Sequence, residues 1–553
     1  MSGFRKYVLP LFVYLLLATA LFPYYQWYVN NPDSFQYLQI AKHYLDGYCH
    51  EAINGYWNPL QSWLLIPFLW IGDPVRGMKI LMVLEGALAL GLWTNWIHRF
   101  ALNRFFRNLL IFGVIPFLLS YAFLNPTADL LFMALVFCLP ISLDALYSEN
   151  RLSNIWFGFS GALLFFAKAF GLPLFIFWTI TAVIYERRIN RRFPKRRQLF
   201  SSAVAFLLPV LIWCALLSGK YGHITISEAA RFNMTKEVAP LPGQIMHLPL
   251  LSGGLVKPAG EHALSAWEEP MQVLSLHPLH PFSSTSDAKF YERVIERNIL
   301  TIWYYDFKRQ AGIIFVVITI FFVTVTVRRR KIDSVDLENN SFVSEKKAEW
   351  SPVLYAALLL FFFYAGYSLV LVHTRYIWIC TLLMLLLTSW MISEMTDVSG
   401  GATKFAGRFA MCMVLLLALK RPVKEILFTI DKDYPIAELW NGIRHPIRTI
   451  YHTTQADRRV HRLALEFKNK MNEPGAIVSI GEFPGDRHTY SASLFTAFYG
   501  GHPYFGQMEP GRDSLTPDVS YFLVWDSKLS APTRMSVLYV DQLTGARLFE
   551  LSK

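Results

Sequence analysis

Hydrophobic runs of about the length that crosses a bilayer, ~20 residues, alternate along this chain with short polar segments. The first run, Tyr7 to Val29, gives way to a polar and aromatic stretch from Asn30 to Leu60. Within that stretch Phe35, Leu38, Ala41, Leu45 and Tyr48 recur at helical spacing, Asp33, Tyr37, Ile40 and Tyr44 form a second stripe, and Gly47 is a stop signal. The pattern predicts a helix lying along the membrane surface, with a carboxylate and two phenols side by side. Asp33 at its head reads as an N-cap or as a base, and the two are not exclusive.

A short apolar patch, Ser62 to Ile71, dips into the interface, and spans follow at Lys79 to Ile97, Asn108 to Leu124 and from Asp129 back to Tyr147. The stretch Ile155 to Tyr185 is too long for one upright span and short for two, since ~30 helical residues reach about 45 Å. Ser148 to Asn154 and the seven basic residues of Arg187 to Arg197 belong on one side, so this stretch must cross twice or re-enter. Its break is expected at Lys168 to Pro173. A lysine at the centre of a single span would cost on the order of 3 kcal/mol, and at a hairpin tip it reaches headgroups or a ligand.

Further spans are expected at Leu199 to Leu217, Ala311 to Val327, Pro352 to Val372, Ile377 to Met395 and Phe405 to Leu419. Together they predict a polytopic α-helical membrane protein of about 11 spans. Residues 1–419 form the transmembrane module, with external loops at 30–78 and 220–310. From Lys420 the pattern changes to helical stretches and then the strand-like runs Ala476 to Ile480 and Tyr521 to Trp525, which predict an external soluble α/β domain over 420–553. Arg5 and Lys6 place the N-terminus in the cytoplasm of a plasma (inner) membrane, and the odd count leaves the C-terminal domain outside. The N-terminal run also has small residues at Ala18 to Ala20 that would suit signal cleavage, but the downstream charges work with it retained as a span.

Composition agrees: 54% of the 553 residues are hydrophobic and 17% charged, too apolar for one soluble core. The net charge of +12 comes largely from basic clusters between apolar runs, which orient spans and do not point to nucleic acid. The five cysteines give neither a disulfide framework nor a zinc spacing, and no Walker loop or HExxH occurs.

The polar residues at outward span ends form one constellation: Asp33, Asp129, Lys168, His373 and Arg375. Charges at the membrane edge are functional candidates, and these signs suit a phosphorylated lipid, with Arg375 and Lys168 for the phosphate and Asp33 for a proton. Each also has a structural reading. Arg375 would be an interface anchor, Lys168 a snorkelling lysine, Asp129 a helix cap, and His373 a loop residue. Tyr56 and Trp57 would stack on a sugar or belong to an interfacial belt.

In order and spacing the motifs resemble those of GT-C fold glycosyltransferases, the superfamily of protein O-mannosyltransferases and aminoarabinose transferases. The resemblance rests on Asp33-Ser-Phe-Gln-Tyr37 with Leu45-Asp46-Gly47, Asn58-Pro59-Leu60, Asn125 to Asp129, Gly158 to Pro173 with Lys168, and His373-Thr374-Arg375-Tyr376. It implies a sugar donor on a polyprenyl phosphate and a glycan, lipid or protein acceptor. It also implies Asp33 as general base with inversion, Asp129 as a second acid, and Tyr37, Tyr56, Trp57, Lys168, His373 and Arg375 as substrate-binding residues. Several relatives have two acids where this chain has Asp33-Ser34, so the donor and any divalent metal stay open. A transporter or flippase of lipid-linked glycans is the alternative, and a scaffold of an envelope assembly a third.

Overall fold

The computed structural model describes residues 2–237, 254–273, 283–308, 315–319, 351–397, 401–429, 436–482, 489–508, 515–526, 529, 535–542 and 545–551. Among the described residues seven helices are long and apolar enough to cross a membrane: Lys6–Tyr25, Pro74–Ile97, Arg104–Leu124, Asp129–Leu146, Arg196–Tyr221, Ser351–Ser368 and Thr374–Met395. The chain is a multi-pass membrane protein. Of the remaining expected spans, Arg151–Ala167 has only 17 residues, Gly171–Ile189 ends in Glu186-Arg187-Arg188, and Gly401–Phe428 carries charges at both ends. Most of the span expected at Ala311 to Val327 lies outside the described residues.

The break expected at Lys168 is present. Helix Arg151–Ala167 stops where Lys168 turns extended, and helix Gly171–Ile189 starts three residues on. Both flanks of this pair meet at one end: Lys195 pairs with Glu149 at 2.7 Å, and Gln198 donates to the Ser148 carbonyl at 2.9 Å. Lys168 is therefore at the other end, as a hairpin requires. Helices Arg151–Ala167 and Arg196–Tyr221 pack so closely that a Cβ on Gly158 would stand 1.9 Å from the Ser202 carbonyl oxygen. Only glycine allows this approach.

Helix Asp33–Asp46 forms where the periodicity places it and ends at Gly47 in the left-handed region, φ 84°. Asp33 to Ala41 and His43 are all buried, because the polar side is covered by residues 262–268 and the apolar side by helix Thr489–Gly500, where Phe35 meets Phe495 at 5.4 Å.

The C-terminal region holds a sheet flanked by helices. Its strands are β1 (Gly254–Leu255), β2 (Ala476–Ile480), β3 (Tyr504–Gln507), β4 (Val519–Val524), β5 (Met535–Val540) and β6 (Arg547–Leu551), in the order β1-β3-β2-β4-β6-β5. β2 runs parallel to β3 and β4, and the other pairs are antiparallel. Central β2 is buried on both faces, which explains its unbroken apolar pattern apart from Ser479. β1 comes from the long loop, so the sheet fastens that loop beside the head of helix Asp33–Asp46. A second fastening is Asp73, which caps helix Pro74–Ile97 and accepts from Tyr499 Oη at 2.6 Å and His461 Nε2 at 2.9 Å.

Candidate active site

Pro32 occupies the N-cap of helix Asp33–Asp46, and Asp33 is its first helical residue, its backbone N–H taken by the Asn31 side chain at 3.0 Å. The cap reading of Asp33 is thereby replaced. Its carboxylate turns away from the helix: Oδ2 accepts from Arg375 Nη2, and Oδ1 accepts from Trp267 Nε1 at 2.9 Å. Both partners are far away in sequence. Trp267 belongs to the loop that covers this helix, and Arg375 to the first turn of helix Thr374–Asp397.

Asp129 opens helix Asp129–Leu146 and binds Lys168 Nζ through Oδ1. Its Oδ2 accepts from Thr127 Oγ1 at 2.7 Å and stands 3.6 Å from Arg375 Nε. Two carboxylates and two cations thus alternate in a row, Asp33, Arg375, Asp129, Lys168, with the acids buried and the cations partly so, and each charge meets its opposite. Such a row offsets the desolvation that would otherwise expel any one of them. Lys168 also lies 3.9 Å from the centroid of the Tyr376 ring, and Asn58 holds the turn around it by donating to the Phe165 carbonyl at 2.8 Å and accepting from Ala169 N–H at 3.1 Å.

Asp33 and Arg375 open onto a cavity of about 730 Å³. Its wall joins apolar residues, Leu124, Leu371 and Trp378, to amides and a phenol, Asn30, Asn31, Asn233 and Tyr490. Tyr56, Trp57 and His373 line it as well. Tyr37, Asp129 and Lys168 stand behind the wall, Tyr37 against Trp57 with ring centroids 5.2 Å apart. Burial, then the charges of Asp129 and Asp33, raise the Tyr37 phenol well above its ordinary pKa, so it does not ionise. His373 lines the cavity and is itself exposed. Desolvation, and then Arg375, push its pKa down to about 4, which leaves the ring neutral near pH 7.

Two residues escape the sequence pattern. Trp267 sits in a loop with no periodicity to mark it. Arg421 lines the cavity near the end of an apolar helix, paired with Glu425 at 2.7 Å and donating to Thr374 Oγ1 at 3.2 Å; its signal is a charge pair four residues apart in an apolar run. Among the described residues no group of three or more His, Cys, Asp and Glu has a metal-holding arrangement.

The sequence matches no family model and no curated protein. Among solved structures the chain is similar to ArnT from Cupriavidus metallidurans bound to undecaprenyl phosphate, with a TM-score of 0.51 and 12% identity over 97% of each chain. The fold is GT-C. Two structures from Archaeoglobus fulgidus align more loosely, at 11% identity. An oligosaccharyltransferase in complex with zinc and sulfate gives a TM-score of 0.34 over 93% of this chain and 67% of that one. The oligosaccharyltransferase AglB, with an inhibitory peptide and a dolichol-phosphate, gives 0.33 over 94% and 69%. At 12% identity the likeness to ArnT speaks for the fold alone.

Proposed function

We propose that the chain is a membrane glycosyltransferase that moves a sugar from a polyprenyl-phosphate donor to an acceptor hydroxyl on the outer face of the membrane, with inversion and with Asp33 as general base. The observation that carries it is the Asp33–Arg375 pair at the wall of a cavity that joins apolar residues, Leu124, Leu371 and Trp378, to polar and charged ones. A polyprenyl phosphate has that same division. Its chain would lie along Leu124, Leu371 and Trp378, and its phosphate would meet the guanidinium groups of Arg375 and Arg421.

In the resting pair Arg375 masks the Asp33 carboxylate. A donor phosphate competes for the guanidinium and frees Oδ2, while the Trp267 bond keeps Oδ1 in place, so donor binding itself unmasks the base. The acceptor oxygen then attacks the anomeric carbon as its proton passes to Asp33. The bond to the phosphate oxygen breaks with its electron pair going to the phosphate, which the cations stabilise without protonation. Asp129 and Lys168 fix Arg375 from behind. Lys168 is thus assigned to positioning Arg375, with direct phosphate contact left to the arginines that line the cavity.

The test is a panel of lipid-linked sugars presented to purified protein, with the anomeric configuration of the product read by NMR. Inverted product with released polyprenyl phosphate supports the transferase. Movement of intact lipid-linked sugar between leaflets without release would favour a flippase.

A further inference from the structure

The two short helices that follow the last long helix, Ile436–Arg444 and Pro446–Thr453, leave an apolar stripe uncovered. Trp440, Ile443, Ile447 and Tyr451 are 54%, 45%, 67% and 43% exposed, and their spacing keeps them on one side of a nearly continuous helical path. Arg444, His445, Arg448 and His452 border them, and Glu438 is the sole acidic residue of the two helices. Arg444 lies over the Trp440 ring at 5.2 Å, and Arg458 over Tyr451 at 5.1 Å.

The level of this stripe is set by three contacts with the ends of two long helices. Thr453 Oγ1 donates to the Leu427 carbonyl at 3.1 Å, a Cβ on Gly442 would stand 2.8 Å from Phe428, and Arg458 donates to the Pro23 carbonyl at 3.2 Å. The stripe therefore lies where helices Ser2–Tyr25 and Gly401–Phe428 both end. Trp70 and Ile71, 75% and 53% exposed, stand at the head of helix Pro74–Ile97 at the same end, which Asp73 ties to His461.

A water-facing surface gains nothing from four large apolar side chains in a row, whereas the boundary between headgroups and acyl chains accommodates them together with arginines. We propose that helices Ile436–Arg444 and Pro446–Thr453 are a membrane-surface anchor: the stripe enters the headgroup boundary, and Arg444 and Arg448 bind the phosphates of anionic phospholipids. The region expected to be wholly soluble thus begins with a lipid-bound segment. The same helix end supplies Arg421 and Thr429 to the cavity, so the anchor also fixes the cavity rim to the headgroup layer. This inference is independent of any transferase activity.

The test is tryptophan quenching in proteoliposomes made with shallow-brominated phosphatidylcholine, with and without phosphatidylglycerol. The Trp440 contribution is the difference between wild type and Trp440→Phe, and Ile447→Trp in the Trp440→Phe background gives a second probe on the stripe. Expected are quenching of both probes by bromolipid, protection of both from aqueous iodide, and stronger bromolipid quenching with phosphatidylglycerol. The phosphatidylglycerol effect should vanish in Arg444→Gln/Arg448→Gln. Quenching of both probes by iodide and not by bromolipid, or protection from both quenchers as under a protein partner, would overturn the anchor. Equal quenching with and without phosphatidylglycerol would overturn the anionic preference.

Discussion

Replacing Trp267 with Phe removes the indole hydrogen bond from the proposed base. The indole donates to Asp33 Oδ1 at 2.9 Å with both residues only 5% exposed, so water cannot take its place without reorganisation. A hydrogen bond to a charged group is worth about 1.5–3 kcal/mol. If its whole value orients the carboxylate during proton transfer, kcat falls about 10- to 150-fold. The benzyl ring retains apolar contact with Tyr56 and Phe232, whose centroids both lie 5.6 Å from the indole, and the Trp57 indole still donates to the backbone carbonyl of residue 267. The assay is polyprenyl-phosphate release at saturating acceptor, with thermal unfolding in detergent as the control. A kcat within twofold of wild type, in a protein of unchanged stability, would refute Trp267 as the residue that positions Asp33.

The other predictions concern the supports of the site. Asp129→Asn leaves the Lys168 and Arg375 charges short of a carboxylate and should cost about 3 kcal/mol; adding Lys168→Met should restore part of the unfolding temperature, and no restoration would argue against the pairing. Gly158→Ala forces the Ser202 backbone to move and should destabilise by about 1–3 kcal/mol, whereas Gly91→Ala, with nothing within 4 Å, should be neutral. Burial alone would raise the Asp73 pKa, but hydrogen bonds from His461, Tyr499 and the Arg76 backbone N–H outweigh it and hold the pKa below the ordinary 3.8. The stability it contributes is therefore full above about pH 4 and lost as the pH falls further. Wild type should lose unfolding temperature over that acid range, and Asp73→Asn should be weaker near neutral pH and flatter in acid; parallel curves would contradict the linkage.

Much of this architecture follows from local signals. Gly47 stops its helix because only its left-handed conformation satisfies the cap, and the break at Lys168 follows from the cost of a lysine in the middle of an apolar run. Asp33, Asp129, Lys168 and Arg375 meet because span ends of one side share a plane, so sorting charges by side was enough to group them. What was not legible depends on contacts without local cause. Trp267 reaches Asp33 across 234 residues, and no periodicity in its loop announces it. The burial of helix Asp33–Asp46 has the same origin: Gln36, Gln39 and His43 are bonded to Ser265, the His262 carbonyl and Glu268, in a loop distant in sequence. Asp33 reads as a cap because aspartate favours that position, but Pro32 takes it and leaves the carboxylate for Arg375.

The most direct measurement is polyprenyl-phosphate release by purified wild type and Asp33→Asn at equal abundance and equal unfolding temperature. Turnover by the wild type and a fall of about a hundredfold or more in the variant, the scale of a lost general base, is the predicted result. Equal turnover by both proteins would contradict Asp33 as the base.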